Sequence, residues 1–141
     1  MRPFYAPDRI ISFYALKSIF SCNLFMIQPT YTFKATITNI VDGDTADADI
    51  DVGFHIKMKQ RLRFNRINTS EMHSSIAAER ELAVAAKQFS SDAILNKAVI
   101  ITTSKSDAFG RYLAEIYYDK GGIQVNLNDE LLENGLAKIF R

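Results

Sequence analysis

YTFKATITNIVDGDTADADIDVGFHIKMKQRLRFNRI, residues 31–67, is the stretch that decides the fold. Apolar or β-branched residues alternate with polar residues along most of it, which is the period of half-buried strands. The pair Asp42-Gly43 and the single Gly53 interrupt this alternation and are typical of turns. The sequence therefore predicts three consecutive strands, at residues 31–41, 45–52 and 55–67.

The second and third of these strands carry opposite charges. Aspartates share one face of the second strand, and basic residues share one face of the third. Such strands favour cross-strand ion pairs, which require a connecting loop with an odd number of residues or a bulge, and the sequence leaves this choice open. The charged residues are Asp47, Asp49 and Asp51 on one strand and Lys57, Lys59, Arg61 and Arg63 on the other.

Five aspartates fall between residues 41 and 51, but they do not form an EF-hand loop. A loop that begins at Asp42 or at Asp47 lacks the glycine at position six and the glutamate at position twelve. We predict instead that Asp47, Asp49 and Asp51 face water and that Asp42 belongs to the turn. Asp44 is then the aspartate available for chemistry.

The remainder of the chain alternates between helical and extended patterns. Residues 74–96 are rich in alanine and predict a helix. The order of elements is typical of an α+β fold, mainly β, with a five-stranded OB-fold barrel and two packed helices, although other α+β arrangements fit the same periodicity. The helix is expected to bury Leu82, Ala85, Ala86, Phe89 and Ala93, with strands following at 98–103, 112–118 and 123–125 and a second helix at 126–134.

The composition indicates one globular domain. The chain has 141 residues, of which 48% are hydrophobic and 23% charged, and its formal net charge is +1. A nearly neutral protein attracts polyanions only through a local cluster of basic residues. The single cysteine, Cys22, excludes an internal disulfide and a cysteine-ligated zinc site.

Residues 1–29 differ from the rest and are interpreted as an N-terminal extension, with the domain at residues 30–141. Two arginines precede an apolar stretch, as in a signal peptide, but Lys17 leaves that stretch too broken for a transmembrane helix. Alternatively, Met26 is the true start of the protein. Localisation is therefore open: secreted or membrane-anchored in the first case, cytoplasmic in the second.

Three short stretches place polar residues at the ends of predicted strands, where packing does not require them. They are Asp42–Thr45, Arg63 with the segment Asn68–Glu71, and Asp107–Arg111. Together they offer hard oxygen ligands for a cation, two arginines that can hold phosphate oxygens, and a glutamate that can accept a proton from water. Hydrolysis of a phosphodiester requires this combination.

The same stretches occur in the order and spacing of a known family. IVDGDT, RFNRINTSE, FGR followed by LAEIY, and ENGLAKIF resemble the motifs of the staphylococcal nuclease (thermonuclease) family, and the resemblance covers residues 31–140. It implies an OB-fold barrel, calcium as the cofactor and a nuclease activity on DNA or RNA.

The resemblance also implies a role for each matching residue. A cation, Ca²⁺ or another divalent ion, is expected to bind at one group of residues, while a second group acts on the phosphate and the attacking water. The expected metal ligands are Asp44, Asn68 and the carbonyl of Thr69; Glu71 is the expected base, Arg63 and Arg111 hold the scissile phosphate, and Phe109 contacts the nucleotide.

Four positions depart from the family pattern. Asn68 stands where the family has an aspartate, so the site loses one negative charge and calcium is expected to bind more weakly. Ser70 replaces a proline before Glu71. Ala108 replaces a lysine and Phe109 a tyrosine, which removes polar contacts but keeps an aromatic face for stacking.

We therefore predict a monomeric, metal-dependent phosphodiesterase of the endonuclease type, acting on DNA, RNA or both, with no stable membrane span. The alternative is an OB-fold module that binds nucleic acid with weak or no catalysis. Retention of nucleic acid without cleavage would favour that alternative.

Overall fold

The structure is a computed structural model and describes residues 27–140. The signal-like stretch, Cys22 and the alternative start at Met26 lie outside the described residues. Eight strands and two helices occur within the described range. They are β1 (Thr32–Asp42), β2 (Thr45–Asp51), β3 (Lys57–Phe64), β4 (Ile67–Thr69), α1 (Ala77–Ile94), β5 (Ala98–Ser106), β6 (Tyr112–Lys120), β7 (Ile123–Asn126), α2 (Leu127–Glu133) and β8 (Ala137–Ile139).

Five strands close into a barrel. The main sheet has the order β3-β2-β1-β5-β6-β7, and β3 also pairs with β6 in parallel, so that β1, β2, β3, β6 and β5 form a closed ring. This arrangement confirms the predicted mainly β, α+β fold with an OB-type barrel and two helices. Its interior is filled by fully buried side chains, among them Ile37, Leu62, Phe64, Ile101 and Ile116.

The hairpin of β2 and β3 aligns the opposite charges as predicted, and one of the aligned pairs, Asp47 with Arg61, forms an ion pair. Asp47, Asp49 and Asp51 lie opposite Arg61, Lys59 and Lys57, because the five residues 52–56 form an odd-numbered loop. The prediction that all three aspartates face water is only partly right. Asp51 is exposed, whereas Asp47 and Asp49 are half-buried and one carboxylate oxygen of Asp49 is buried without a hydrogen-bond partner among the described residues.

The predicted buried stripe of α1 is wrong in part. Leu82 and Ala85 are exposed, and the buried positions of α1 are Ala83, Ala86, Ser90 and Ile94. Small residues occupy the positions where the helix approaches the β1–β2 turn closely, namely Ala86 and Ser90.

Gly43 is the point of closest approach between the β1–β2 turn and α1. A Cβ atom added to Gly43 would lie 2.6 Å from Cβ of Ala86 and 2.9 Å from Cγ2 of Thr69. The carbonyl of Gly43 accepts a hydrogen bond of 2.9 Å from the hydroxyl of the buried Ser90. The glycine in this turn is therefore required by close packing, and this packing anchors the neighbouring Asp44.

The third strand ends earlier than predicted. β3 stops at Phe64, and after a turn at Asn65–Arg66 the chain continues as the separate strand β4, which pairs antiparallel with β8. Both strands have only three residues, too few for an alternating pattern to identify them from sequence. Within residues 27–140, no helix combines the length and the apolar character needed to cross a membrane.

Candidate active site

A cleft of about 850 Å³ opens where three connections meet at one end of the barrel. The β1–β2 turn, the segment that leads from β3 through β4 towards α1, and the β5–β6 loop contribute its walls. All seven residues with a predicted site role line this cleft: Asp44, Arg63, Asn68, Thr69, Glu71, Phe109 and Arg111.

Asp44 and Arg63 form an ion pair at the base of the cleft. Nη1 of Arg63 lies 2.8 Å from Oδ2 of Asp44, and the two side chains are only 12% and 9% exposed. Oδ2 also accepts the backbone N–H of Thr69 at 2.8 Å, while Oδ1 accepts the hydroxyl of Thr45 at 3.1 Å. The carboxylate is therefore held by three elements of the fold: β2, β3 and β4.

Asn68 completes this arrangement through its side-chain carbonyl. Its Oδ1 accepts a hydrogen bond of 2.8 Å from Nη2 of Arg63. Burial lowers the pKa of Arg63, Asp44 raises it, and the neighbouring guanidinium of Arg111 lowers it again. Both arginines line the same cleft.

Arg111 is held on the opposite wall by Asp107. Oδ2 of Asp107 accepts Nε of Arg111 at 2.7 Å and lies 2.7 Å from Nη2. Oδ1 accepts the backbone N–H groups of Phe109 and Arg111, each at 2.9 Å. Burial acts to raise the pKa of Asp107, but the hydrogen bonds from Arg111 and Phe109 outweigh it and lower that pKa. One carboxylate thus fixes both the loop and the guanidinium.

Phe109 presents an aromatic surface beside this cation. Its side chain is 83% exposed, and the guanidinium of Arg111 lies 5.4 Å from the ring centroid. A cation at this distance attracts the ring face. The exposed face can stack on a base while the guanidinium contacts a phosphate.

Glu71 follows β4 and is exposed at the cleft. No hydrogen bond or ion pair joins its carboxylate to another side chain within residues 27–140, in contrast to the paired Asp44 and Asp107. Glu71 and Asp42 are the two carboxylates of the cleft whose oxygens make no such contact in this range, so either could accept a proton from a bound water.

Divalent cations can be held here by oxygen ligands from one small group of residues. Asp44 supplies a carboxylate, Asn68 an amide oxygen and Thr69 a carbonyl, all hard donors of the kind that Ca²⁺ and Mg²⁺ prefer. The set carries a single negative charge, and Arg63 already donates to two of its members. Within the described residues, no group of three or more His, Cys, Asp or Glu side chains could hold a metal. These residues would therefore offer a divalent cation oxygen donors of a suitable type, with one negative charge among them and with Arg63 competing for two of the three.

Two positioning groups were not identified from the sequence. Asp107 was part of a recognised stretch but had no assigned role, although its spacing of four residues from Arg111 was a usable signal. Arg66 also lines the cleft, and its partners Glu115 and Asp129 are 49 and 63 residues away in the chain. No local pattern indicates contacts across such separations.

A closed OB-type barrel with two arginines, a free glutamate and oxygen donors around one cleft is the architecture of a nuclease-like or nucleic-acid-binding protein. Comparison with protein families agrees, because residues 61–141 match the family of staphylococcal nuclease homologues. The chain belongs to this family.

Two other proteins are similar in sequence to most of this chain. An uncharacterized protein of Methanocaldococcus jannaschii is 27% identical over 128 residues, which cover 77% of this chain and 59% of that protein. Ribonuclease TUDOR 2 of Arabidopsis thaliana is 30% identical over 110 residues, which cover 74% of this chain and 11% of that protein. The chain thus spans less than two thirds of the length of either relative. Family membership indicates a nuclease or nucleic-acid-binding role.

Proposed function

We propose that the protein is a divalent-cation-dependent nuclease that hydrolyses phosphodiester bonds of DNA, RNA or both. The observation that carries this proposal is the meeting of Arg63, Arg111 and the unpaired Glu71 in one cleft. A surface that only binds nucleic acid requires basic and aromatic groups, but it has no use for a free carboxylate beside two phosphate-binding arginines. The ribonuclease name of one relative is consistent with this chemistry.

In this proposal both arginines contact the phosphate, each through N–H groups that the protein leaves unoccupied. Arg63 is fixed by Asp44 and Asn68 through its Nη atoms, and its Nε makes no hydrogen bond to the described residues, so N–H groups remain for a phosphate oxygen. Arg111 is fixed through Nε and Nη2 and offers Nη1 from the other wall. Guanidinium groups held in place before the reaction stabilise the charge that develops on the phosphoryl oxygens.

Glu71 accepts the proton of the attacking water. In-line attack on phosphorus then expels the 5′ oxygen and leaves a 3′-phosphate end. Asp44, Asn68 and Thr69 would hold a divalent cation, which would supply positive charge to the phosphate. Phe109 stacks on the adjacent base and sets the register of the strand.

A nucleic-acid-binding module without catalysis is the second candidate. It is favoured by the pairing of Asp44 with Arg63 and by Asn68, because together they leave little uncompensated negative charge for a cation. The two candidates differ in whether bound nucleic acid is cut.

A gel assay of plasmid DNA and of RNA, with calcium and with chelator, tests the proposal. We expect cleavage with calcium and none with chelator, and a rate loss of about 10²-fold or more in Arg63→Ala, Arg111→Ala and Glu71→Gln, as is typical when a preorganised catalytic group is removed. Arg61→Ala is the matched control, because Arg61 pairs with Asp47 on the outer face of the barrel and does not line the cleft. Mobility shifts without cleavage in calcium would overturn the proposal and favour the binding module.

A further inference from the structure

The turn Asn65–Arg66 connects two parts of the candidate site. Arg63 lies two residues before this turn, and Asn68 lies two residues after it. Any change in the conformation of the turn therefore moves the phosphate-binding guanidinium relative to the amide oxygen that supports it.

Arg66 adopts an unusual backbone conformation in this turn. Its φ is 65°, in the left-handed region that side chains other than glycine rarely adopt. Within residues 27–140, four other non-glycine residues have a positive φ, but none of them lines the cleft. Strained backbone that persists at a functional site requires contacts that hold it in place.

The side chain of Arg66 supplies such contacts. Nε donates to Oε1 of Glu115 at 2.7 Å, and Nη2 donates to Oε2 of Glu115 at 2.8 Å and to Oδ1 of Asp129 at 2.9 Å. This two-pronged pairing with Glu115 fixes the plane of the guanidinium. The carbonyl of Arg66 also accepts the N–H of Phe140 at 2.8 Å. Both the side chain and the backbone of Arg66 are thus fixed.

Glu115 gathers further donors around the same turn. It accepts Nδ2 of Asn65 at 3.1 Å and Nδ2 of Asn126 at 2.9 Å, and its side chain is only 15% exposed. The fully buried Asn128 donates to the carbonyl of Asn65 at 3.0 Å. The turn is therefore tied to β6 and to the start of α2, which lie outside the walls that carry the expected catalytic groups.

We propose that Arg66 and Glu115 are positioning residues, which hold the left-handed turn so that Arg63 and Asn68 point into the cleft together. Nε and Nη2 of Arg66 donate to Glu115 and Asp129, so these two groups do not face a phosphate. The catalytic part of this inference rests on the proposed nuclease function, whereas its structural part does not.

Steady-state kinetics of the full chain with a short oligonucleotide tests the catalytic part. In Arg66→Gly, glycine keeps the left-handed turn while the contacts to Glu115 are lost; Glu115→Gln keeps the shape but removes the charge. For both variants we expect kcat to fall by about 10- to 100-fold with little change in KM, because misalignment affects the transition state more than binding. The double variant should be no slower than the more affected single variant, since both act through one contact.

The matched control is Arg61→Ala, which removes an equally short arginine–carboxylate pair from the outer face of the barrel. It should leave kcat unchanged. If Glu115→Gln does not fold, as judged by circular dichroism, Arg66→Gly decides the question, because it relieves backbone strain.

An NMR measurement without substrate tests the structural part. The ¹H–¹⁵N signal of Arg63 Nε, assigned by its absence in Arg63→Lys, should shift or broaden in Arg66→Gly and Glu115→Gln but not in Arg61→Ala. Unchanged kcat together with an unchanged Arg63 signal would overturn the positioning role. A wild-type protein that cuts no nucleic acid, combined with a displaced Arg63 signal, would refute the nuclease proposal and retain the positioning role.

Discussion

Two arginine–aspartate pairs on the same hairpin have nearly the same length and opposite surroundings. Arg61 and Asp47 lie 2.7 Å apart on the outer face of the barrel, with side chains 54% and 29% exposed. Arg63 and Asp44 lie 2.8 Å apart at the cleft, with side chains 12% and 9% exposed. Only one residue, Leu62, separates the two arginines along β3.

Burial gives these pairs different consequences. Water and salt screen the outer pair, and exposed pairs of this kind contribute little to stability. The inner pair loses its hydration, so that each charge depends on the other and on Thr45, Asn68 and Thr69. The pKa values agree: the hydrogen bond with Asp47 raises the pKa of Arg61, whereas burial lowers that of Arg63. The guanidinium of Arg63 is therefore nearly buried and fixed in position where it lines the cleft.

Replacing Arg63 should have the largest effect. Arg63→Ala leaves Asp44 buried without its cation, and the loss of one partner from a buried pair costs on the order of 3 kcal/mol. Urea unfolding measures this change, and the cleavage assay described above measures the accompanying loss of rate. An Arg63→Ala protein as stable as Arg61→Ala would show that burial does not distinguish the two pairs.

Replacing glycine by alanine should also lower stability by different amounts in the two turns that flank β2, at Gly43 and at Gly53. Gly43→Ala places Cβ 2.6 Å from Ala86, and overpacking of this kind typically costs about 1–3 kcal/mol. Gly53→Ala at the outer end meets no atom within 4 Å but has a φ of 84°, so we expect a cost of about 1 kcal/mol from backbone strain. Thermal unfolding measures both changes. A second substitution, Ala86→Gly, should recover part of the lost stability in Gly43→Ala, because the contact with Thr69 at 2.9 Å remains, and should recover none in Gly53→Ala. No recovery in Gly43→Ala would refute the steric explanation.

The Arg66–Glu115 pair is intermediate in burial, with side chains 46% and 15% exposed, and should give an intermediate response to acid. Burial acts to raise the pKa of Glu115, but hydrogen bonds from Arg66 and Asn126 outweigh it and lower that pKa. The ionised carboxylate therefore stabilises the fold above the unfolded pKa of about 4.3, and this contribution is lost as the pH falls through the lower folded pKa.

Urea unfolding of wild type and Glu115→Gln between about pH 5 and about pH 3 measures this contribution. We expect a shallower loss of unfolding free energy in the variant as the pH falls. Other paired carboxylates titrate in both proteins, so the difference between the two slopes reports Glu115. Equal slopes would contradict the prediction.

Replacing Arg61 should have the smallest effect. Arg61→Ala removes an exposed pair that salt already screens, and we expect the unfolding midpoint and the cleavage rate to remain close to those of wild type. Thermal unfolding at low and high salt checks this. A large destabilisation that persists at high salt would show that the outer pair behaves as a buried one.

Much of the fold could be predicted from local patterns. Alternation located β1, β2 and β6 to within two residues at each end, because each presents one face to the barrel interior. The same reasoning failed for β4 and β8, which are too short to show a period. It also misjudged Leu82 and Ala85, which are exposed, because the orientation of α1 on the barrel depends on tertiary contacts such as that of Ala86 with Gly43.

The residues of the candidate site could be predicted from the sequence, but the contacts between them could not. The seven residues to which the family resemblance gave a site role all line the cleft, although their roles remain predictions. Spacing did not show that Asp44 and Arg63 pair with each other, nor that Asp107 holds Arg111. These contacts depend on how three separate connections meet at one end of the barrel.

The amino-acid sequence by itself determined the strand periods, the opposite charges of β2 and β3, and the set of polar residues available for chemistry. Each of these follows from neighbours along the chain. The tertiary structure alone decided which arginine–aspartate pair is buried, why Gly43 must lack a side chain, and why Arg66 can adopt a left-handed conformation. Burial and strain depend on atoms that are distant in sequence, such as Ala86 and Glu115, and closure of the barrel brings them into contact.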